Sequence, residues 1–276
     1  MKLSPLARVV LYALLAAGVF IMVAPFLYMV ATALTRYAYT LPFPPRLYPT
    51  DPTLENFVRA WTSNNFARYT MNSLLVATSA MVLTVTVSTL TAYGFSRFQF
   101  PAKELIFKVM LITMMIPGMV ALIPTFLVMR DLHLLNSRLG LVLLYASTGI
   151  AFNTFLLRSF FEGLPKELEE AVLVDGGNRW TILRHVIIPL STPALATVAI
   201  FSFMGAWDEF WWAMTLIQDE AKRTLPIAIR LFQGMHATNY SLVFAASLIA
   251  MVPGVGLFVF FQRYFIQGLR SGATKG

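Results

Sequence analysis

The sequence predicts an all-α polytopic membrane protein with six transmembrane helices. Of its 276 residues, 58% are hydrophobic and 12% are charged, whereas soluble domains carry about 25% charged residues. Six stretches contain no Asp, Glu, Lys or Arg, and each could cross the ~30 Å hydrocarbon core as a helix. They cover residues 9–35, 69–96, 109–129, 139–157, 186–207 and 231–262.

The orientation of these spans follows from the lysines and arginines between them. With the N-terminus inside, the 21 basic residues divide into 12 inside and 9 outside. Six spans then place both termini in the cytoplasm. The first apolar stretch exceeds the ~7–15 residues of a signal-peptide core, so an uncleaved helix is favoured over cleavage near residues 31–33.

The net charge of +8 does not indicate nucleic-acid binding, because the basic residues flank apolar spans. Anionic lipid headgroups are the better partner for charges so placed. The chain has no cysteine. Its histidines, His133, His185 and His236, lack the spacing of metal ligands, and no metal site is predicted.

Two segments between the spans have a distinctive composition. Residues 36–68 contain five prolines, which prevent a regular helix and predict an extended extracytoplasmic loop that ends in a short helix near residues 54–62. Residues 161–190, on the predicted cytoplasmic side, are rich in charge.

The charged segment predicts two consecutive helices. Pro165 suits a first helical turn, and acids at residues 167, 169 and 170 complement the positive end of the helix dipole. Leu168, Ala171 and Val172 recur at helical spacing, and Gly176 and Gly177 favour a helix end. A second helix is expected from Trp180 to Pro189. These features alone equally allow a surface helix packed on the end of its own bundle.

The residue string resembles the EAA loop of binding-protein-dependent ABC importer permeases. Glu170-Ala171-Val172, Asp175-Gly176 and Ile188-Pro189-Leu190 occupy the motif positions. Val172 stands where the family usually has a second alanine, and Gly177 also replaces a common alanine. Residues 206–210, 223–226, 231–234 and 262–276 are similar to the maltose-type, carbohydrate branch of this family, and specifically to the second permease of the pair. Asp208 replaces an asparagine often found there.

This resemblance implies a type I ABC importer permease fold in a prokaryotic cell membrane. Residues 1–276 would form a single transmembrane permease domain, with a core at about 71–266, the EAA loop at 163–190, the extracytoplasmic loop at 36–68 and a cytoplasmic tail at 268–276. Expected partners are a second permease in a heterodimer, two ATP-binding subunits and an extracytoplasmic substrate-binding protein, which the outer loops at 36–68 and 218–240 would touch.

The resemblance also implies residue roles. The helix in the loop would couple to the ATPase, with Glu170 paired to a basic residue there. The expected coupling residues are Glu167, Leu168, Glu169, Glu170, Ala171, Val172, Asp175 and Gly176. The tail residues expected to reach the ATP-binding subunits are Gly268, Leu269, Arg270, Gly272 and Lys275.

The sequence lacks a phosphate-binding loop of its own. That loop requires a Gly-Lys pair, and no glycine here is followed by lysine. No cofactor is therefore expected on this chain, and ATP and Mg²⁺ would belong to the partner ATPase.

The acids Asp208 and Glu209 follow the fifth apolar stretch among several aromatic residues. One interpretation places Trp207, Asp208, Glu209 and Trp211 on the translocation path, where aromatic rings would stack on sugars. The other, which we favour, places them at the outer interface, where tryptophan is enriched.

The expected cargo is a di- or oligosaccharide, with glycerol-3-phosphate or a polyol as the alternative for the same machinery. A secondary transporter would need charges at membrane depth or internal repeats, and neither is evident. An intramembrane enzyme would need a catalytic group of side chains within the spans, and none is evident there.

Overall fold

A computed structural model describes residues 4–234 and 238–273, with side chains described through residue 262. The described backbone is helical, apart from connecting segments and two isolated bridges, Thr35 with Pro52 and Gln233 with Thr238. The helices are α1 (Pro5–Ala33), α2 (Glu55–Thr62), α3 (Phe66–Arg97), α4 (Lys103–Ile112), α5 (Leu122–Asp131), α6 (Arg138–Glu162), α7 (Glu167–Val174), α8 (Arg179–Leu190), α9 (Thr192–Trp207), α10 (Trp211–Leu216), α11 (Leu225–Leu231) and α12 (Tyr240–Ala273). Short 3₁₀ turns cover Thr113–Met115 and Glu220–Lys222.

The chain divides into two compact units, of which the first comprises residues 1–68 and 227–252. In this unit the buried Asn56 amide on α2 donates to the carbonyl oxygens of Ala33 and Thr35, at 2.9 and 2.8 Å. The end of α1 is thereby tied to the short helix predicted near residues 54–62. The rings of Tyr28 and Phe244 meet edge to face.

The second unit comprises residues 69–226 and 253–276, and it contains the predicted coupling loop. An apolar cluster packs the end of α3 against α6, α8 and α9, so α8 is fixed to the long helices. Its buried members are Ala92, Tyr93, Leu157, Phe161, Ile182, Leu183, Ile187, Ala194 and Val198.

Four single helices are long and apolar enough to cross a membrane: Pro5–Ala33, Phe66–Arg97, Arg138–Glu162 and the described part of α12, Tyr240–Gln262. The fifth predicted span is α8 followed by α9, which are bent by 79° at Ser191. The middle of α8, Leu183–Ile187, is π-helical. Pro189 follows this segment and has no N–H to continue the regular bonding pattern.

The third predicted span, residues 109–129, is not one helix. It is divided between α4 and α5 by the segment around Pro117 and Gly118. Ile116 has an extended backbone because the residue before a proline is disfavoured in the helical region. The third of the six predicted spans is therefore interrupted, and the count of six transmembrane helices is not exactly confirmed within the described residues.

The interrupted stretch nevertheless runs from one end of α6 to the other. Glu104, in the first turn of α4, pairs with Arg158 near the end of α6 at 2.9 Å. Residues 134–136 follow α5, and Ser137 accepts a hydrogen bond from Gly140 at the start of α6. Together α4 and α5 therefore cover the length of a helix of 25 residues, about 37 Å at 1.5 Å per residue.

Candidate functional site

The short helix α7 ends in a tight turn that its sequence specifies locally. Gly176 has a φ of +82°, in the left-handed region where glycine avoids the penalty of a side chain. The N–H of Gly177 donates to the Val172 carbonyl at 2.8 Å, and that of Gly176 to Leu173 at 3.1 Å. This pair of bonds is the Schellman motif, so the predicted helix end at Gly176-Gly177 is present.

The next helix, α8, begins immediately after this turn. The Asn178 side chain accepts a hydrogen bond from the Thr181 N–H at 3.0 Å, which satisfies one of the free donors at a helix start. The Tyr93 hydroxyl on α3 donates to the Arg179 carbonyl at 3.0 Å. The turn between α7 and α8 is thus held both by its own residues and by α3.

Most predicted coupling residues lie on the exposed side of α7. Leu173 and Val174 on α7 and Trp180 at the start of α8 are also exposed, Val174 by 87% and Trp180 by 63%. We call this set the α7 surface. It comprises Glu167, Leu168, Glu170, Ala171, Leu173, Val174, Asp175, Gly176 and Trp180.

Two of the predicted coupling residues face inward instead. Val172 is half-buried and packs against the apolar cluster of the second unit. Glu169 is buried, and its carboxylate forms an ion pair with Arg97 at the end of α3. The Arg97 Nη2 also donates to the Phe161 carbonyl at 2.7 Å. Arg97 carries no local signal for this role, because it lies in a different predicted loop.

The two departures from the family alanines are in contact. A Cβ placed on Gly177 would lie 2.5 Å from the Val172 Cγ1 and 2.8 Å from the Val172 carbonyl oxygen. The larger residue at 172 therefore occupies the space that a side chain at 177 would need.

The residues proposed for a translocation path have different environments. Trp207 is buried and its ring stacks on Phe203, with centroids 5.6 Å apart. Trp211 is exposed. Asp208 follows the last residue of α9 and is exposed to solvent. Partial desolvation by neighbouring protein atoms nevertheless raises the pKa of its carboxyl above the usual value.

Glu209 acts as a structural link in the described chain. Its carboxylate accepts a hydrogen bond from the Tyr145 hydroxyl at 2.7 Å and from the N–H groups of Trp212 and Ala213, at 2.9 and 3.1 Å. The acid therefore caps the start of α10 and joins it to α6. These bonds give Glu209 a structural role, and the location of the segment at the outer membrane interface stays a prediction.

A cavity of about 790 Å³ lies in the second unit, beside the break between α4 and α5. None of the described residues that line it carries a charge. Hydroxyl groups and large apolar side chains share its wall, including Thr113, Thr125, Ser147, Thr148, Met114, Phe152 and Trp212. Of the aromatic segment that follows α9, it is Trp212 that lines the cavity, and its place depends on the cap at Glu209.

Other sequence predictions concern metals and the tail. Within residues 4–234 and 238–262 no group of three or more histidine, aspartate or glutamate side chains could hold a metal ion. Lys275 and His236 lie outside the described residues, and the side chains of Gly268, Leu269, Arg270 and Gly272 are likewise not described.

These features define a class: a helical membrane protein whose second unit displays an exposed helix with apolar and acidic residues and contains a cavity with an uncharged lining. Residues 84–271 match the family described as "binding-protein-dependent transport system inner membrane component", and the chain belongs to that family. It is therefore a membrane-embedded permease, a transport subunit and not an enzyme.

Named relatives extend this similarity over nearly the whole chain. The sulfoquinovosyl glycerol transport system permease protein SmoH of Agrobacterium fabrum is 35% identical over 99% of this chain and 94% of the relative. The trehalose/maltose transport system permease protein MalG of Thermococcus litoralis is 34% identical over 91% of each chain.

Among solved structures, a bacterial ABC transporter involved in the import of the acidic polysaccharide alginate contains a similar chain. The TM-score is 0.82 at 24% identity, with 96% of this chain and 99% of the other covered. At that identity the match establishes the permease fold alone.

Proposed function

We propose that this chain is one of two permease subunits of an ATP-driven importer that moves a di- or oligosaccharide into the cell. Its partners are a second permease, two ATP-binding subunits that hold ATP and Mg²⁺, and an extracytoplasmic binding protein. The exposed α7 surface carries this proposal, because it is a ready contact for a partner that supplies the energy.

The chemistry of the α7 surface favours docking to a protein. Val174 and Trp180 are large apolar side chains left uncovered at the end of a bundle, and clustered exposed apolar residues mark interaction sites. The exposed carboxylates of Glu170 and Asp175 would pair with basic residues of the partner and set the register of docking. The Schellman turn and the cap at Asn178 fix this surface before binding, which lowers the entropy lost on association.

The sidedness of the chain follows from this assignment. ATP-binding subunits work in the cytoplasm, so α7 and the nearby ends of α3 and α6 would lie on that side. The opposite ends, which include residue 136 and the loop at 218–225, would then face outward. Both termini are cytoplasmic in this arrangement, in agreement with the balance of basic residues.

The cavity beside α6 supports a carbohydrate path. Sugars present hydroxyl groups together with apolar ring faces, and the wall offers hydroxyl groups at Ser147 and Thr148 beside the indole of Trp212. Binding sites commonly combine apolar walls with a few polar groups that fix orientation. The named relatives handle sulfoquinovosyl glycerol and trehalose/maltose. Because the described lining offers hydroxyl groups and an indole ring but no Lys or Arg to bind a phosphate, we assign a di- or oligosaccharide to this chain in preference to glycerol-3-phosphate.

The docking proposal is tested by charge reversal on the α7 surface. Glu170→Lys and Asp175→Lys should leave the chain inserted but abolish substrate-stimulated ATP hydrolysis in the assembled complex. The matched control is Asp131→Lys, which reverses an exposed carboxylate at the end of α5 and should leave stimulation unchanged. Normal stimulation in both α7 variants would reject the docking surface.

The transport proposal is tested in proteoliposomes with the purified complex, the binding protein and a panel of neutral sugars, sugar acids and glycerol-3-phosphate. Uptake should require ATP and be selective for a di- or oligosaccharide over glycerol-3-phosphate. Uphill transport by the chain alone, without an ATP-binding subunit, would instead identify a secondary transporter.

A further inference from the structure

The ion pair between Arg97 and Glu169 differs from the other ion pairs of the described chain in its burial. The two side chains are only 5% and 6% exposed, whereas Glu104, paired with Arg158, is 59% exposed. Arg97 is the last residue of α3. Its second hydrogen bond, to the Phe161 carbonyl, joins the same guanidinium to the end of α6.

This pair has a specific position relative to α7. Most of the helix faces outward: Leu168, Leu173 and Val174 are exposed, and inward contact is left to Glu169 and the half-buried Val172. The apolar contact of Val172 is non-directional, so it does not fix the rotation of α7. The guanidinium of Arg97 fixes both the distance and the rotation of α7, because its donors lie in a rigid plane.

The energetics also indicate a geometric role. Taking two charges out of water offsets most of their attraction, so a buried pair is weak support for a stability role. The burial of this pair is better explained by a role in geometry, because the ion pair permits only one position of α7 relative to the ends of α3 and α6. Arg97 is the last residue of α3 and also binds the end of α6. A movement of either long helix would therefore move α7 through the ion pair with Glu169.

We propose that Arg97 and Glu169 are positioning residues that hold α7 at the place and angle needed to dock on the ATP-binding subunit. This inference rests on the proposed function, since it assumes that α7 is the docking helix. Neither side chain reaches the partner. When the pair is broken, α7 samples several positions, and the apparent affinity for the ATP-binding subunit falls with the fraction of competent chains.

The position of α7 can be measured directly, because the chain has no native cysteine. Spin labels at Val174→Cys on α7 and Val82→Cys on α3 occupy exposed sites, and Val82 lies about 22 Å along α3 from Arg97 at 1.5 Å per residue. Double electron–electron resonance spectroscopy then reports the distribution of distances between the two spin labels. The parent should give one narrow distribution.

Two variants separate positioning from stability. Glu169→Gln should broaden the distance distribution at least twofold. The double variant Arg97→Met with Glu169→Met replaces the pair by apolar side chains, which generally preserves stability, and it should broaden the distribution while the unfolding temperature is retained. The matched control, Glu104→Gln, breaks an exposed ion pair and should leave the distribution unchanged.

Binding gives the second measurement. If the loosened α7 is competent about a tenth of the time, the Kd for the ATP-binding subunit that co-purifies with the parent rises about tenfold in both variants. A narrow, unshifted distribution in the double variant would overturn the positioning role, whatever the Kd. If the parent binds no ATP-binding subunit, the proposed function fails, and the distance measurement still decides the positioning role.

Discussion

The contact between Val172 and Gly177 yields a prediction about the turn after α7. Gly177→Ala would place a methyl carbon 2.5 Å from the Val172 Cγ1 and 2.8 Å from its carbonyl oxygen. Atoms at these distances must move apart. The backbone of Gly177 is not left-handed, unlike that of Gly176, so the effect of this change comes from packing alone.

The magnitude follows from how far the neighbours can move. Val172 is held by the apolar cluster, and its carbonyl accepts the Gly177 hydrogen bond that closes the turn. Overpacking at a site with so little room is destabilising by about 1–3 kcal/mol. Val172→Ala alone loses about 1 kcal/mol, at ~0.8 kcal/mol per buried methylene and partial burial. The double variant should be more stable than the sum of the single changes by about 1 kcal/mol, because the shorter of the two contacts disappears.

Hydrogen exchange at residues 175–177 measures the opening of this turn. A loss of about 1–3 kcal/mol speeds exchange about 5- to 150-fold, and Val172→Ala should restore much of the protection. Gly176→Ala is the matched control. Its Cβ would meet no neighbouring atom, but an alanine would be strained at a φ of +82°. Exchange in Gly176→Ala should therefore also increase, and adding Val172→Ala should not restore the protection. Equal rescue of both glycine variants, or unchanged exchange in Gly177→Ala, would refute the packing explanation.

Two predictions concern the segment after α9. Partial desolvation raises the pKa of the Asp208 carboxyl, so the ionised carboxylate destabilises the folded state. This destabilisation is complete above the raised pKa and absent below the usual aspartate range, where the carboxyl is protonated in both the folded and the unfolded chain. Asp208→Asn should therefore raise the unfolding temperature at pH 7.5, with a gain that shrinks towards pH 4; a constant or growing gain would contradict this. Tyr145→Phe removes one hydrogen bond to the Glu209 carboxylate and should be destabilising by about 1.5–3 kcal/mol in thermal unfolding, whereas Tyr12→Phe, at an exposed site on α1, should have no effect.

Local signals predicted the elements around α7 well. The acids at the start of α7 and the Gly176-Gly177 pair act on the backbone within a few residues, so the end of α7 and the turn can be read from the sequence. The placement of Pro165 in the first helical turn was wrong, because α7 begins at Glu167 and Lys166 is its N-cap. The short helix predicted near residues 54–62 is present as α2.

The break between α4 and α5 shows where hydropathy is insufficient. The free energy of transfer into lipid depends on side-chain composition, and residues 109–129 are uniformly apolar. It does not report whether the backbone stays helical. Pro117 gave the relevant local signal, because it forces Ile116 out of the helical region, but prolines in other spans leave their helices continuous, such as Pro25 in α1 and Pro253 in α12.

The inward orientation of Glu169 could not be predicted from its own segment. Acids at residues 167, 169 and 170 are equally suited to the first turn of a helix, and the partner that distinguishes them lies 72 residues away. The cavity was missed for a related reason, since its wall combines Thr113 and Pro124 with Ser147 on α6 and Trp212 on α10.

The two adjacent acids of α7 should fail in different ways when they are changed. Residues 169 and 170 are about 100° apart around the helix, and one carboxylate is buried against Arg97 while the other is exposed. Glu170→Lys should leave α7 in place but weaken its contact with the ATP-binding subunit, whereas Glu169→Gln should displace the helix. When α7 is displaced in most chains, only the remaining competent chains bind, and in those chains the contact made by Glu170 is unchanged.

The two losses of affinity for the ATP-binding subunit should therefore multiply. Glu169→Gln lowers the fraction of chains in which α7 can dock, and the apparent Kd equals the Kd of the competent form divided by that fraction. Glu170→Lys instead raises the Kd of the competent form itself. The variant carrying both changes should bind with a Kd near the product of the two separate effects. A Kd near that of the more weakly binding single variant would contradict separate roles in position and contact, and would mean that both carboxylates act through one interaction.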